Sequence, residues 1–142
     1  MTAKDYLRQL GKLDKLIENK FAEKSRWRDI AIGGGSSFSM EDRVQTSGSK
    51  QKMADAVCRY ITIEEEINQA IDFLVDKRKE VIASIELLGT MEYDLLHKVY
   101  VQYMTLQDAA DAMCKSYSWA TTVHGRALKH LDAILQERGV DK

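Results

Sequence analysis

The 142-residue chain contains no proline, only two cysteines, few aromatics, and no apolar run near the ~20 residues that cross a bilayer. Each shortage removes a class of protein. Without proline, neither a ring clash nor a missing backbone donor interrupts a helix. Cys58 and Cys114 lie far apart and in no metal-ligand spacing, so they read as reduced, half-buried thiols in a cytosolic protein rather than a disulfide framework or zinc site. The lack of a long apolar run leaves no membrane partner. The opening MTAKDYLRQL is charged and amphipathic, without the apolar centre of a secretion signal. Charge of one sign is also missing: 21 Lys/Arg stand against 22 Asp/Glu, a net −1, which points by itself neither to nucleic acid nor to a membrane surface. β-branched residues are scattered and do not alternate, so no strand is expected.

What is present is helical periodicity. Tyr6, Leu10, Leu13, Ile17, Phe21 and Trp27, widened by Leu7 and Leu16, recur at three- and four-residue steps and predict a helix from Ala3 to Ile32, ~45 Å long. Gly33-Gly34-Gly35-Ser36-Ser37 breaks the pattern and opens a loop over 33–50. There Arg43 and Gln45 offer polar contacts to a phosphate or partner, while Phe38 and Val44 offer to pin the loop down. A second helix begins after Ser49, a suitable N-cap. Its seam is Met53, Val57, Tyr60, Ile67, Ile71, Leu74, Val81, Ile85 and Leu88, close to a heptad. Gly89 is expected to end it. Residues 1–32 carry eight Lys/Arg against five Asp/Glu, and residues 51–88 carry five against eight. Opposite charge of that kind favours pairing of the two helices. The expected division is therefore a coiled-coil-like helical hairpin over 1–88 and a second domain over 89–142.

In the second domain a helix over Met91–Tyr103 is followed by a break at Met104-Thr105, where Thr105 and Asp108 stand at capping-box spacing. Two helical patterns then flank the short polar break Lys115-Ser116. In the first, Ala109, Ala110 and Met113 face inward, and two small residues permit a close, steep crossing. In the second, running to Glu137, Ala120, Val123, Ala127, Leu128, Leu131, Ile134 and Leu135 make the inner stripe, with Ser116 at the N-cap. This is the pattern of a helix-turn-helix, whose second helix can lie in the major groove of double-stranded DNA. Subtracting the inner stripe leaves Tyr117, Ser118, Trp119, Thr121, Thr122, Arg126 and Lys129 facing outward. Ser118, Thr121 and Thr122 are placed for base edges, Arg126 for a guanine or phosphate, and Lys129 for a phosphate. His124 is the histidine best placed to approach DNA. Gln107, at the start of the supporting helix, and Ser116 complete the candidate set, since free N–H groups at a helix start attract phosphate. Trp119 also reads as a packing anchor. The domain itself is not basic: residues 89–142 carry six Lys/Arg against seven Asp/Glu.

Thr105–Leu131, TLQDAADAMCKSYSWATTVHGRALKHL, resembles the fourth region of bacterial sigma factors. Arg43–Val57, RVQTSGSKQKMADAV, and Lys4–Lys20, KDYLRQLGKLDKLIENK, resemble a narrower group, the ArpU- and RinA-type transcription regulators of phages and prophages of Gram-positive bacteria. The resemblance implies an all-α protein with a long N-terminal helical hairpin and a C-terminal sigma region-four-like helix-turn-helix. It implies a cytoplasmic regulator in a bacterial host that binds promoter DNA and activates late phage genes. Cys114 stands where that family usually has glycine, so a left-handed backbone carrying a side chain is expected there, at a cost of ~1 kcal/mol. Lys115 replaces an apolar residue of the turn, and Thr121 and Thr122 replace basic or histidine residues.

No catalytic or metal-binding pattern accompanies this reading. His97, His124 and His130 have no metal-ligand spacing, and there is no nucleophile elbow or phosphate loop. The expectation is a protein that is not an enzyme, needs no cofactor, and forms a homodimer, because two half-sites supply affinity that one weakly charged domain lacks. The alternative is a helical interaction protein that binds host RNA polymerase or a phage packaging component without reading DNA.

Overall fold

The structure, a computed structural model, describes residues 1–33 and 47–139, with only the backbone described at 47–49. Most of the expected 33–50 loop, including Phe38, Arg43, Val44 and Gln45, lies outside these residues. Among the described residues every regular element is a helix: α1 (Ala3–Ala31), α2 (Ser47–Ile85), α3 (Thr90–Leu96), α4 (Leu106–Ala112) and α5 (Tyr117–Glu137). A π-helical turn, His97–Val101, continues α3. No described helix is long and apolar enough to cross a membrane. Because α2 begins at Ser47, Ser49 lies inside the helix and does not cap it.

Contacts divide the chain into two compact units, and the division does not fall at residue 88. One, here the terminal unit, joins Met1–Leu13 to the chain from Leu74 onward; the other, the middle unit, is Asp14–Phe73. The reason lies in the first turns of α1. Ala3, Tyr6, Leu7 and Leu10 share one buried cluster with Val81 and Ile85 of α2, Leu96, Tyr100 and Val101, and Ala127, Leu131 and Leu135 of α5. An amphipathic stripe specifies that a face is buried but not against what.

Hydrogen bonds lock the same elements together. The Ala3 N–H, an orphan donor at a helix start, donates to Asp132 Oδ1 of α5 at 2.6 Å. The Tyr6 hydroxyl donates to Glu80 Oε2 at 2.7 Å and lies 3.2 Å from Ser84 Oγ, to which Arg138 Nη1 also donates at 3.0 Å. Burial pushes the Tyr6 hydroxyl up to about 12, so it remains a donor at any ordinary pH.

The join between α2 and α3 corrects the reading of Gly89. It is not a left-handed helix stop: its φ of −63° and ψ of 158° make it the N-cap of α3. α2 closes earlier, through short-span hydrogen bonds from Leu87 N–H to Ser84 O and from Leu88 N–H to Ile85 O.

In the middle unit, Ile17 of α1 and Ala56, Ile63 and Ile67 of α2 are buried. Ion pairs line the seam: Lys20 with Glu66, Lys24 with Glu64, and Arg59 with both Glu23 and Glu66. Phe21, Leu16 and Val57, expected inside, are each more than two-fifths exposed. Cys58 and Cys114 are exposed rather than half-buried.

Candidate nucleic-acid interface

Two capped helices and a specific turn build the candidate surface. α4 starts at Thr105, whose Oγ1 accepts from the Asp108 N–H at 3.0 Å. It ends through a paired closure: Cys114 N–H donates to Asp111 O at 3.1 Å, and Lys115 N–H to Ala110 O at 2.9 Å. This is the six-to-one and five-to-two pattern of a Schellman motif, which needs a left-handed residue between its two donors. Cys114 supplies it with φ 59°. The residue where the resemblance implied glycine thus holds the glycine conformation. Ser116 then caps α5, its Oγ accepting from the Trp119 N–H at 3.0 Å. Ala109 and Ala110 of α4 are fully buried against Ala120 and Val123 of α5 and Leu95 of α3, with Met104, Leu106 and Met113 around them. Small side chains at that crossing let the two helices approach closely, and their position fixes which side of α5 faces out.

That outer side is one continuous face. Ser118, Thr121, Thr122, Gly125, Arg126 and Lys129 are all exposed and recur at three- and four-residue steps. Nothing lies within 4 Å of where a Cβ would stand on Gly125, so the backbone at mid-face is open. Thr121 Oγ1 donates to Tyr117 O at 2.9 Å and Thr122 Oγ1 to Ser118 O at 3.1 Å. These bonds occupy the hydroxyl protons and leave each oxygen as an acceptor. Tyr117 is exposed at the start of the face.

Several candidates are placed otherwise. Ser116 is occupied as the cap. Trp119 is half-buried against the α4–α5 cluster, with Lys115 Nζ 5.4 Å from its ring centroid, so its packing role prevails. Gln107 donates to Asp111 Oδ1 at 3.1 Å along α4. Asp108 occupies the first turn of that seven-residue helix and puts a carboxylate where a phosphate was expected. His124 does not point outward. It stacks on Tyr100 at 5.7 Å between ring centroids, with Nε2 2.8 Å from the Tyr100 hydroxyl. Burial, followed by the nearby charges of Lys4 and Arg8, holds its imidazole below the ordinary histidine value.

The residue that sequence reasoning missed is Glu92. It is only 7% exposed, on α3, and it receives Arg126 Nε at 3.0 Å while lying 2.8 Å from His130 Nδ1. Burial alone would raise its carboxyl. The hydrogen bonds and charges of His130 and Arg126 outweigh burial and hold it below the ordinary carboxylate value. Arg126 is therefore anchored at one edge of the face, with more than half of its side chain still open to solvent. No local signal marks such a pairing, because its partners lie 34 and 38 residues away.

Among the described residues no group of His, Cys, Asp and Glu is arranged to hold a metal ion. The surface offers hydroxyl acceptors, methyls, an open stretch of backbone and two cations, which are groups suited to recognition of a polar partner. No curated protein and no solved structure matches the chain. Residues 35–132 match the model of a family described as a protein of unknown function, DUF1492. The match takes in α2 through most of α5, well over half of the sequence, and the chain belongs to the DUF1492 family.

Proposed function

We propose that this protein is a sequence-specific double-stranded-DNA-binding regulator of phage transcription, an activator of late genes, in which α4 and α5 act as a sigma region-four-like helix-turn-helix. The observation that carries the reading is the continuous outer face of α5, held outward by the alanine crossing and the left-handed turn at Cys114. Ser118, Thr121 and Thr122 read base edges from the N-terminal half of the helix, and Lys129 contacts a phosphate. Arg126 keeps its bond to Glu92 through Nε and offers its terminal nitrogens to a guanine or phosphate. The N-terminal helical hairpin, the part of α1 and α2 within Asp14–Phe73, serves for dimerisation or engages the transcription machinery.

The test is capture of fragmented phage and host genomic DNA by the purified protein at about 150 mM salt, a condition at which non-specific binding is already weakened. Enrichment of one or a few upstream regions supports the reading, and no enrichment by folded protein defeats it. Thr121→Ala combined with Lys129→Ala is expected to abolish selective capture while the circular dichroism spectrum is unchanged.

A second reading has its own support. The C-terminal residues 89–142 are not basic, and Leu16, Phe21, Val57 and Ile61 are exposed in the middle unit. Those features suit a protein partner such as host RNA polymerase or a phage packaging component. Affinity for such a partner responds weakly to salt, whereas phosphate contacts weaken steeply.

A further inference from the structure

A DNA reader normally carries a basic footprint, and residues 89–142 have six Lys/Arg against seven Asp/Glu. The terminal unit contains another source of charge. Ala3, Tyr6, Leu7 and Leu10 are buried with Ala127, Leu131 and Leu135, and the Ala3 N–H is bonded to Asp132, so the first turns of α1 are fixed along one flank of α5. On a helix, Lys4, Arg8 and Lys12 follow one another at four-residue steps, and all three are exposed. None of them forms a salt bridge among the described residues. Asp132 accepts from Ala3, and Asp5 accepts from Thr2 through both the backbone N–H and the hydroxyl.

The flank concerned adjoins the reading face. Thr121, Gly125, Leu128 and Asp132 form one row along α5, with His124 beside it. The Ala3–Asp132 bond sets the start of α1 beside the second half of α5, and the charges of Lys4 and Arg8 are felt at His124, that of Arg8 also at Tyr100.

We infer that Lys4 and Arg8 of α1 are the phosphate clamps of the α5 surface, so that the basic footprint absent from the C-terminal residues is supplied by the other end of the chain. The inference rests on the proposed DNA-binding reading. It names the DNA backbone as the ligand of Lys4 and Arg8, while the outer face of α5 reads sequence. Lys12, one turn further on, continues the stripe.

The experiment compares full-length wild type, Lys4→Gln/Arg8→Gln and Arg26→Gln/Lys52→Gln. The last pair is exposed, belongs to the middle unit, and removes the same charge. Binding to a mixed-sequence DNA duplex is titrated by fluorescence anisotropy between 50 and 200 mM salt, with circular dichroism as the folding control. The Lys4/Arg8 variant is expected to bind weakly at every salt, and its log–log salt slope should fall by roughly 2, so that its affinity drops about tenfold less across the range. The Arg26/Lys52 variant should keep the wild-type slope. An unchanged slope in the Lys4/Arg8 variant overturns the inference and leaves the DNA reading standing. An equal fall in both variants also overturns it, since that would be an effect of net charge alone. If wild type binds no duplex even at the lowest salt, the DNA reading fails and this inference fails with it.

Discussion

The two units hold themselves together in different ways. The terminal unit buries large side chains from four helices: Tyr6, Leu7, Leu10, Ile85, Leu95, Leu96, Leu131 and Leu135 are all essentially inaccessible. Glu92, Ser84 and the Tyr6 hydroxyl are drawn inside it and hydrogen-bonded. The middle unit has only two helical segments and a narrow seam, with Ile17, Ala56, Ile63 and Ile67 inside and its charges paired at the margins. Two helices alone bury too little apolar surface for a wide core. Stability in the terminal unit is thus a matter of packing and buried hydrogen bonds, whereas in the middle unit marginal ion pairs form a larger share of a smaller total.

The contrast can be broken most severely at Leu131. Leu131→Ala removes a fully buried side chain of α5 and is expected to cost about 3 kcal/mol, read from urea denaturation. The same truncation at Ile61, which is 50% exposed, should stay within about 0.5 kcal/mol. Comparable losses at the two sites would erase the distinction between the units.

Acid sharpens it next. Glu92 has its folded carboxyl below the ordinary value, so its contribution is present above about 4.5 and is lost as pH falls through the depressed folded value. His124 and His97 are pushed down chiefly by burial, so the unfolded chain takes up their protons first and stability declines as pH drops below about 6.5. The terminal unit should therefore weaken in two acid stages. Glu92→Gln should cost about 1–2 kcal/mol at neutral pH and remove the lower stage only. Melting curves across pH 3–8 for wild type and variant test this, and a variant curve parallel to wild type throughout would refute the assignment.

A gain should follow at the turn. Cys114→Gly relieves a side chain held at φ 59° and should stabilise the terminal unit by up to about 1 kcal/mol, seen as a higher urea midpoint at unchanged slope.

The smallest effect belongs to the middle unit. A double-mutant cycle on Lys20 and Glu66 should return no more than about 0.5 kcal/mol, vanishing at 1 M salt, because both side chains remain partly open to water. A larger, salt-independent coupling would show that the unit is held more like its neighbour.

How much of this could be read from the chain varied with how local the signal was. The α4–turn–α5 segment was legible down to single residues: Thr105 and Ser116 are caps because their hydroxyls reach the N–H three residues on, and Ala109, Ala110 and Ala120 are buried where the spacing puts them. The seam of α2 was legible in period but misread in place. Val57, chosen for its hydrophobicity, is exposed, whereas its neighbour Ala56 and the small polar Ser84 are fully buried. Ala56, Ile63, Ala70, Lys77 and Ser84 form a seven-residue series that side-chain size conceals. Gly89 was misread because glycine serves at either end of a helix and only its backbone angles distinguish the two. His124 was misplaced because an amphipathic helix has two flanks as well as two faces, and a flank is assigned by its neighbours. Glu92 and the docking of the first α1 turns were not legible at all, since both depend on contacts made far along the chain.

That distance bears on how the protein is made. Ala3 and Asp132, bonded in the finished molecule, are 129 residues apart. A ribosome delivers the first turns of α1 long before α5 exists, so Tyr6, Leu7 and Leu10 emerge with no place to be buried. The middle unit draws on no residue beyond Phe73. The terminal unit must wait for α5, and contacts of such high order close slowly. A nascent chain stalled before Leu131 would leave Tyr6, Leu7 and Leu10 without that part of their cover, which makes the last two turns of α5 a checkpoint on the terminal unit.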